Sequence, residues 1–265
     1  MQNTRTVDVF LPPGYYAAPD RSYKVLYAND GQDMALLRMK KTLEVLYAGN
    51  KIERIIVVAV HATRHRVKEY GTAGIPNAQG LGARAGQYSK LLTDQVMPYI
   101  NRHYRTLEGP TNTAIMGSSL GGISAFDIAW NHPLLFGKVG VFSGSFWWRT
   151  RDRSRAAKQD SRIIHRIVRG SDKREGLKMW FEAGTKDETD DRDGNGVIDA
   201  IQDTTELMDA LELRGYRKRV DMVYVEVKGG RHDQATWAKA LPRFLRWAFP
   251  VRKSQRVKIR SKTAK

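Results

Sequence analysis

Short, largely apolar runs alternate along the chain with longer amphipathic segments. Six runs have the length and character of buried parallel strands, at 25–28, 55–60, 113–116, 139–142, 179–183 and 222–227. Apolar residues return every three or four positions in the intervening segments, which indicates helices over 86–104, from about 121, over 204–214 and over 234–249. Strands that alternate with helices predict an α/β fold, in which a mainly parallel central sheet carries helices on both faces.

The size of the chain suits one domain, which we place at residues 1–250. With 265 residues, 41% of them hydrophobic, the chain can bury a large core. It contains no cysteine, which excludes disulfides and thiolate metal sites. No apolar run reaches about 18 residues, so we expect no membrane span. The first residues also lack the apolar stretch of a signal peptide.

Basic residues are concentrated in two segments of this strongly basic chain. The net charge is +17; residues 149–178 hold 11 basic and 4 acidic residues, and residues 251–265 hold 7 basic and none acidic, so each segment supplies +7. We therefore expect a basic surface excursion at 149–178 and a disordered basic tail at 251–265. No specific nucleic-acid site is expected, although a non-catalytic polyanion-binding module stays open as an alternative function.

The segment 114–122 carries the pattern Gly-x-Ser-x-Gly between an apolar strand and an apolar helix. Its two glycines allow a sharp strand-to-helix turn that lifts the hydroxyl of Ser119 above the sheet edge. Ser118 is the competing serine, but only Ser119 has glycine both two positions before it and two after. The N–H of Leu120, at the helix start, would then point at the oxyanion that forms when Ser119 attacks a carbonyl.

A serine nucleophile in this context is followed along the chain by an acid and then by a histidine. Of the six histidines, His232 lies in a glycine-rich loop between the last predicted strand and the closing helix, whereas the others lie too early. The acid should follow the preceding strand, where Asp187 comes first and Glu188 and Asp190 are alternatives. His232 would act as the general base, and Asp187 would hold its tautomer.

These residues resemble the Putative esterase family of α/β hydrolases, which includes esterase D, enterochelin esterase-like proteins, feruloyl esterase modules and mycolyltransferase antigens. The likeness covers about 7–249 and is carried by VFLPPGY (9–15), NDGQ (29–32), RVKEY (66–70), SGSFWW (143–148), GTKD (184–187) and GGRH (229–232). It implies an α/β-hydrolase fold, with the N–H of Gln32 as a second oxyanion donor beside that of Leu120. The chain departs from the family pattern at Ala28 and at Arg231, which lengthens the loop before His232 by one residue.

The resemblance implies a serine carboxylic-ester hydrolase that works through an acyl-enzyme and a Ser-His-Asp triad without an organic cofactor. Its substrate would be a small-molecule or polysaccharide-linked ester. Trp147 and Trp148 are candidates for the walls of an acyl or aryl pocket, with burial in the core as the alternative for each. Arg66 is a candidate for binding an anionic substrate group. Acyl transfer to an alcohol on the same scaffold is the nearest alternative activity.

The acidic loop 187–203 contains the D-x-D-x-N-G-x-I-D pattern of an EF-hand-like calcium loop. The expected ligands are Asp191, Asp193, Asn195, the carbonyl of Val197, Asp199 and Asp203. Asp203 is included because Gln202 stands where a bidentate glutamate is usual. We expect a structural Ca²⁺ that stiffens the loop carrying Asp187, with a plain Asp/Gly-rich turn as the alternative. Such a weakened site favours a periplasmic or secreted protein; the oligomeric state stays open.

Overall fold

A computed structural model describes residues 4–251. Seven strands lie in this part of the chain: β1 (Val7–Phe10), β2 (Lys24–Asn29), β3 (Ile55–Val60), β4 (Thr113–Ser118), β5 (Lys138–Phe142), β6 (Lys178–Lys186) and β7 (Met222–Arg231). They form one sheet in the order β1-β3-β2-β4-β5-β6-β7. β1 runs antiparallel to β3, and every other neighbouring pair is parallel. The predicted, mainly parallel sheet is confirmed.

Nine α-helices accompany the sheet within the described residues: α1 (Met39–Ala48), α2 (Arg66–Glu69), α3 (Ala85–Leu91), α4 (Met97–His103), α5 (Leu120–Asn131), α6 (Arg155–Asp160), α7 (Ile163–Arg169), α8 (Asp199–Glu212) and α9 (Gln234–Ala248). The helix predicted over 86–104 consists of α3 and α4, which a π-helical turn joins at Leu92–Val96. A 3-10 turn, Gly31–Asp33, follows β2.

Apolar side chains are buried on both faces of the sheet because helices cover both. α1 and α9 pack on one face, against side chains such as Leu26, Val57 and Trp180. α3, α4, α5, α7 and α8 pack on the other face, against side chains such as Ile56 and Phe181. The six residues of β3 are therefore all buried, as expected for a continuous apolar run in a parallel sheet.

The two outer strands of the sheet differ from the buried ones. β1 has only four residues, and none of them is fully buried. β7, at the other side, carries exposed charged side chains at Glu226, Lys228 and Arg231. The pairing of β6 with β7 shifts register between Gly184 and Lys186. This irregularity lies directly before the loop that follows β6, so it sets the direction in which that loop leaves the sheet.

The segment 149–178 is only partly the surface excursion that we expected. It contains α6 and α7, and α7 buries Ile163, Ile164 and Val168 in the core. Arg162, one of the eleven basic residues, is 1% exposed and is paired with two carboxylates of α8. The predicted tail lies outside the described residues except for Val251. Within residues 4–251, no helix combines the length and apolar character that crossing a bilayer requires.

Candidate active site

The residues proposed for catalysis follow neighbouring strands at one edge of the sheet. Ser119 comes directly after β4, Asp187 after β6, His232 after β7 and Gln32 shortly after β2. The carboxyl ends of parallel strands meet at the same sheet edge, so the topology brings these four positions to one side of the molecule. This edge is where open α/β sheets bind their ligands.

Ser119 lies in a strained turn between β4 and α5. Its backbone has φ 55° and ψ −124°, a conformation that non-glycine residues rarely adopt. The flanking glycines are sterically required, because a Cβ on Gly117 would lie 2.1 Å from the carbonyl oxygen of Gly121. A Cβ on Gly121 would lie 2.6 Å from a carboxylate oxygen of Asp30. The serine N–H donates to the carbonyl of Phe142 at 2.9 Å, which ties the turn to the end of β5.

His232 and Asp187 form a pair on the loops after β7 and β6. Nδ1 of His232 lies 3.4 Å from Oδ2 of Asp187. The aspartate side chain is buried, whereas the imidazole is 42% exposed. Of the three acids that the sequence left open, Asp187 is therefore the one that pairs with His232 in the described structure. This pairing has the arrangement in which a carboxylate orients an imidazole and stabilises its protonated form.

The elements that carry the two candidate oxyanion donors are tied to each other. Leu120 is the first residue of α5, where backbone N–H groups lack an intrahelical acceptor. Gln32 lies in the 3-10 turn after β2, and its side chain bonds Oδ1 of Asp30 and the N–H of Ala62. The Nδ2 group of Asn29 donates to the carbonyl of Gly121 at 2.8 Å, which joins this turn to the start of α5.

Arg66 supports the turn after β2, which carries Gln32, instead of presenting a free cation to a substrate. Its guanidinium donates twice to Asp30, at 2.7 and 2.8 Å, and lies over the ring of Tyr70. The hydroxyl of Tyr70 accepts the backbone N–H of Asp30. Because both carboxylate oxygens of Asp30 are engaged by Arg66, the arginine is held as a support of the turn before Gln32. These contacts do not favour the substrate-binding role that the sequence suggested for Arg66.

The two tryptophans after β5 have different environments. Trp147 is 37% exposed and lines a surface cavity. The charged residues of this cavity are Arg149, Lys158, Arg192, Glu188, Asp190, Asp191 and Asp199. Trp148 is fully buried in the core, and its indole packs against Gly71. The structure therefore corrects the sequence-based assignment of Trp148 as a pocket wall, because a side chain enclosed in the core cannot meet a substrate from solvent. Trp147 remains a candidate for the wall of an acyl or aryl pocket.

The acidic loop is held by contacts among its own side chains. The carboxylate of Asp191 accepts the N–H groups of Gly194, Asn195 and Gly196. The amide of Gln202 donates to Asp193 at 2.7 Å and accepts from Asn195 at 3.2 Å. Gln202, which stands where calcium loops usually carry a bidentate glutamate, thus closes the loop through the hydrogen bonds of its uncharged amide.

The full set of predicted calcium ligands does not fit this arrangement. Asp199 accepts the backbone N–H of Arg192 at 2.9 Å and pairs with its guanidinium at 3.1 Å. Asp203 is 1% exposed and pairs with Arg192 at 2.6 Å and also with Arg162. Two of the six expected ligands are thus paired with arginines, an arrangement that does not favour Asp203 as a calcium ligand. Calcium at the other positions, which include the carbonyl of Val197, stays a prediction.

Three buried residues beside the candidate triad were not singled out from the sequence. The hydroxyl of Ser143 donates to Oδ1 of Asp187 at 3.0 Å, and Nε1 of Trp237 donates to that hydroxyl at 2.8 Å. Glu182 is buried in the middle of β6. Ser143 belongs to the motif at 143–148, but neither Trp237 nor Glu182 carries a sequence signal, since each acquires its place through long-range packing.

A mainly parallel sheet with helices on both faces and a Gly-x-Ser-x-Gly turn after a central strand define an α/β hydrolase. A sequence model of the family described as "Putative esterase" matches residues 1–248. The chain belongs to this family, and it is a carboxylic-ester hydrolase. Esterases of this kind need no organic cofactor.

Similar proteins include esterases of two kinds. An "Endo-1,4-beta-xylanase/feruloyl esterase" of Xylanibacter ruminicola is 29% identical over 153 residues, which cover 53% of this chain and only 19% of the relative. A solved ferulic acid esterase has a TM-score of 0.69 at 21% identity, with 92% of each chain covered. The enterobactin esterase FES of Shigella flexneri has a TM-score of 0.71 at 20% identity, covering 93% of this chain and 56% of that one. At these identities, the two solved structures support the fold.

Proposed function

We propose that this esterase cleaves its substrate through a Ser119 acyl-enzyme. Oγ of Ser119 attacks the ester carbonyl while His232 takes its proton and passes it to the departing alcohol oxygen. A water molecule then attacks the acyl-enzyme, giving its proton to His232, and the carboxylic acid leaves as Ser119 recovers its hydrogen. Asp187 orients His232 throughout, and the N–H groups of Leu120 and Gln32 stabilise the oxyanion.

The observation that carries this proposal is the strained backbone of Ser119 at the edge where His232 pairs with Asp187. A non-glycine residue with φ 55° and ψ −124° is costly, by about 1–3 kcal/mol, and such strain occurs where a side chain must be presented for chemistry. The turn is held from several sides, by Phe142 and by the close approach of Gly117 to Gly121. An ordinary serine turn would not need this support.

For the substrate, we propose an ester of an aromatic acid. Support comes from the half-exposed indole of Trp147, which lies two residues after Ser145. The hydroxyl of Ser145 is 3.4 Å from that of Ser119. The cavity beside Trp147 is lined by basic and acidic side chains, so it combines an aromatic surface with polar groups of both charges. The similar feruloyl esterase is named for an ester of this class.

Hydrolysis of p-nitrophenyl butyrate by the wild type and by Ser119→Ala tests the nucleophile. We expect the substitution to lower kcat by at least about 10³-fold, because removing one triad member leaves only binding and oxyanion stabilisation. Ser118→Ala is the matched control, since it removes the neighbouring hydroxyl and should keep kcat within twofold. Equal activity of Ser119→Ala and the wild type would refute the proposal, as would a loss confined to Ser118→Ala.

A further inference from the structure

The turn after β5 touches both ends of the candidate catalytic machinery. The N–H of Ser119 donates to the carbonyl of Phe142 at 2.9 Å, and the N–H of Ser145 donates to the carbonyl of Ser119 at 3.2 Å. Ser143 lies between Phe142 and Ser145, and its hydroxyl donates to Oδ1 of Asp187 at 3.0 Å. One short segment therefore connects the nucleophile turn, which follows β4, with the acid, which follows β6.

The direction of the Ser143 hydroxyl follows from its other partner. The indole Nε1–H of Trp237 can only donate, and it lies 2.8 Å from Oγ of Ser143. The serine oxygen must therefore accept from Trp237, which leaves its own hydrogen for Asp187. Ser143, Trp237 and Asp187 are each more than nine-tenths buried, so water has little access to compete for these hydrogen bonds.

This arrangement divides the two oxygens of Asp187 between two partners. Oδ1 accepts from Ser143, while Oδ2 faces Nδ1 of His232. The ring of Trp237 also meets the imidazole of His232 nearly edge-on, with centroids 5.3 Å apart and an interplanar angle of 82°. Trp237 thus contacts the histidine directly and the aspartate through one hydroxyl, which fixes the relative orientation of the two rings and the carboxylate.

The backbone of Ser143 indicates that this placement costs free energy. The residue has φ 44°, in the left-handed region that L-residues other than asparagine and aspartate seldom occupy. Its N–H donates to the carbonyl of Glu182 at 2.8 Å, which holds the strained conformation against β6. Strain of this kind persists where the surroundings over-determine a conformation, and it clusters at active sites.

We propose that Ser143 is a positioning residue that holds the carboxylate of Asp187 in register with His232, and that Trp237 sets the direction of its hydroxyl. The inference rests on the proposed function, since it assigns to Asp187 the role of orienting His232. Neither Ser143 nor Trp237 meets the substrate, because both are buried beneath the triad. Their effect should therefore be confined to kcat.

A double-mutant cycle with p-nitrophenyl butyrate tests this role. Ser143→Ala should lower kcat by about 10- to 100-fold, as expected for losing a hydrogen bond to a carboxylate, and should change KM by less than twofold. In the Asp187→Ala background, the same substitution should change kcat by less than twofold, because the group through which Ser143 acts is gone. Trp237→Phe keeps an aromatic ring, although a smaller one, and removes the indole N–H; it should cost nothing further once Ser143 is alanine.

Ser124→Ala is the matched control, since Ser124 has the same burial as Ser143 but lies within α5. It should keep kcat within twofold of the wild type. Wild-type kcat in both Ser143→Ala and Trp237→Phe would overturn the inference, and so would an equal fall in both Asp187 backgrounds. If Asp187→Ala itself keeps wild-type kcat, the triad proposal fails as well, which separates the two failures. Melting temperatures of all variants identify any that are unfolded.

Discussion

Glu182 permits a quantitative test of the electrostatics beneath the site. Its side chain is 1% exposed in the middle of β6, and neither carboxyl oxygen has a hydrogen-bond partner among residues 4–251. Burial, together with the nearby charge of Asp187, raises the pKa of Glu182 from 4.5 to about 8. The carboxyl group is therefore neutral in the folded protein at pH 7 but ionised in the unfolded chain.

The free-energy cost of this difference follows from linkage. The contribution of Glu182 to stability is intact below pH 4.5 and is lost progressively as the pH rises toward 8. Each pH unit in this window costs about 1.4 kcal/mol, so the cost at pH 7 is about 3 kcal/mol. Glu182→Gln preserves the shape of the side chain and removes its titration. We expect the variant to match the wild type near pH 4.5 and to be more stable by about 3 kcal/mol at pH 7.

Urea unfolding at pH 5, 6, 7 and 8 measures this difference, which should grow by about 1.4 kcal/mol per pH unit. Glu44→Gln is the control, because Glu44 is exposed on α1 and its substitution should show no such growth. A difference that is the same at every pH would refute the reasoning. So would a Glu182→Gln variant less stable than the wild type at pH 7, since that result requires an ionised and well-partnered carboxylate.

Trp147→Ala should raise KM for methyl ferulate by about three- to tenfold and leave KM for methyl butyrate unchanged, because only the first ester has a ring that can stack on the indole; equal effects on both esters would contradict this. Arg192→Met should lower the free energy of unfolding by about 3 kcal/mol, since it leaves the buried carboxylate of Asp203 with one arginine fewer. Arg151→Met is the control, because Arg151 is exposed. In wild-type protein, chelation of divalent cations should lower Tm by a few degrees, because a structural Ca²⁺ would stabilise the acidic loop; an unchanged Tm would mean that the amide and arginine contacts close the loop without calcium.

Local chemistry made the nucleophile turn predictable. β4 approaches α5 so closely that only glycine fits two positions before and two positions after Ser119. The pattern therefore spans five consecutive residues and can be recognised in the sequence. Chain order predicted that His232 and Asp187 meet at one sheet edge, because parallel strands place their following loops there, and the two side chains lie 3.4 Å apart. The spacing of apolar residues along the chain also predicted most strands and helices. Strands such as β3 are buried on both faces and therefore appear in the sequence as continuous apolar runs.

Long-range packing explains what the sequence could not provide. Trp147 and Trp148 are adjacent and chemically identical, and only the finished fold, in which Gly71 and Gly82 approach the indole of Trp148, decides which of them is buried. Asp203 suits a metal ligand by its position in the loop pattern. Arg162, 41 residues earlier, meets it only after α7 packs against α8. Pairings of this kind depend on the finished fold, and no local spacing encodes them.

The two outer strands also determine how the sheet meets other chains. An outer strand with free N–H and C=O groups is a template for pairing with a second molecule, and such pairing leads to aggregation. β1 offers only four residues for this purpose, and an incoming chain beside β7 would meet the charges of Glu226 and Lys228. The seven-stranded sheet can therefore stay open at both sides in a concentrated solution while resisting edge-to-edge growth.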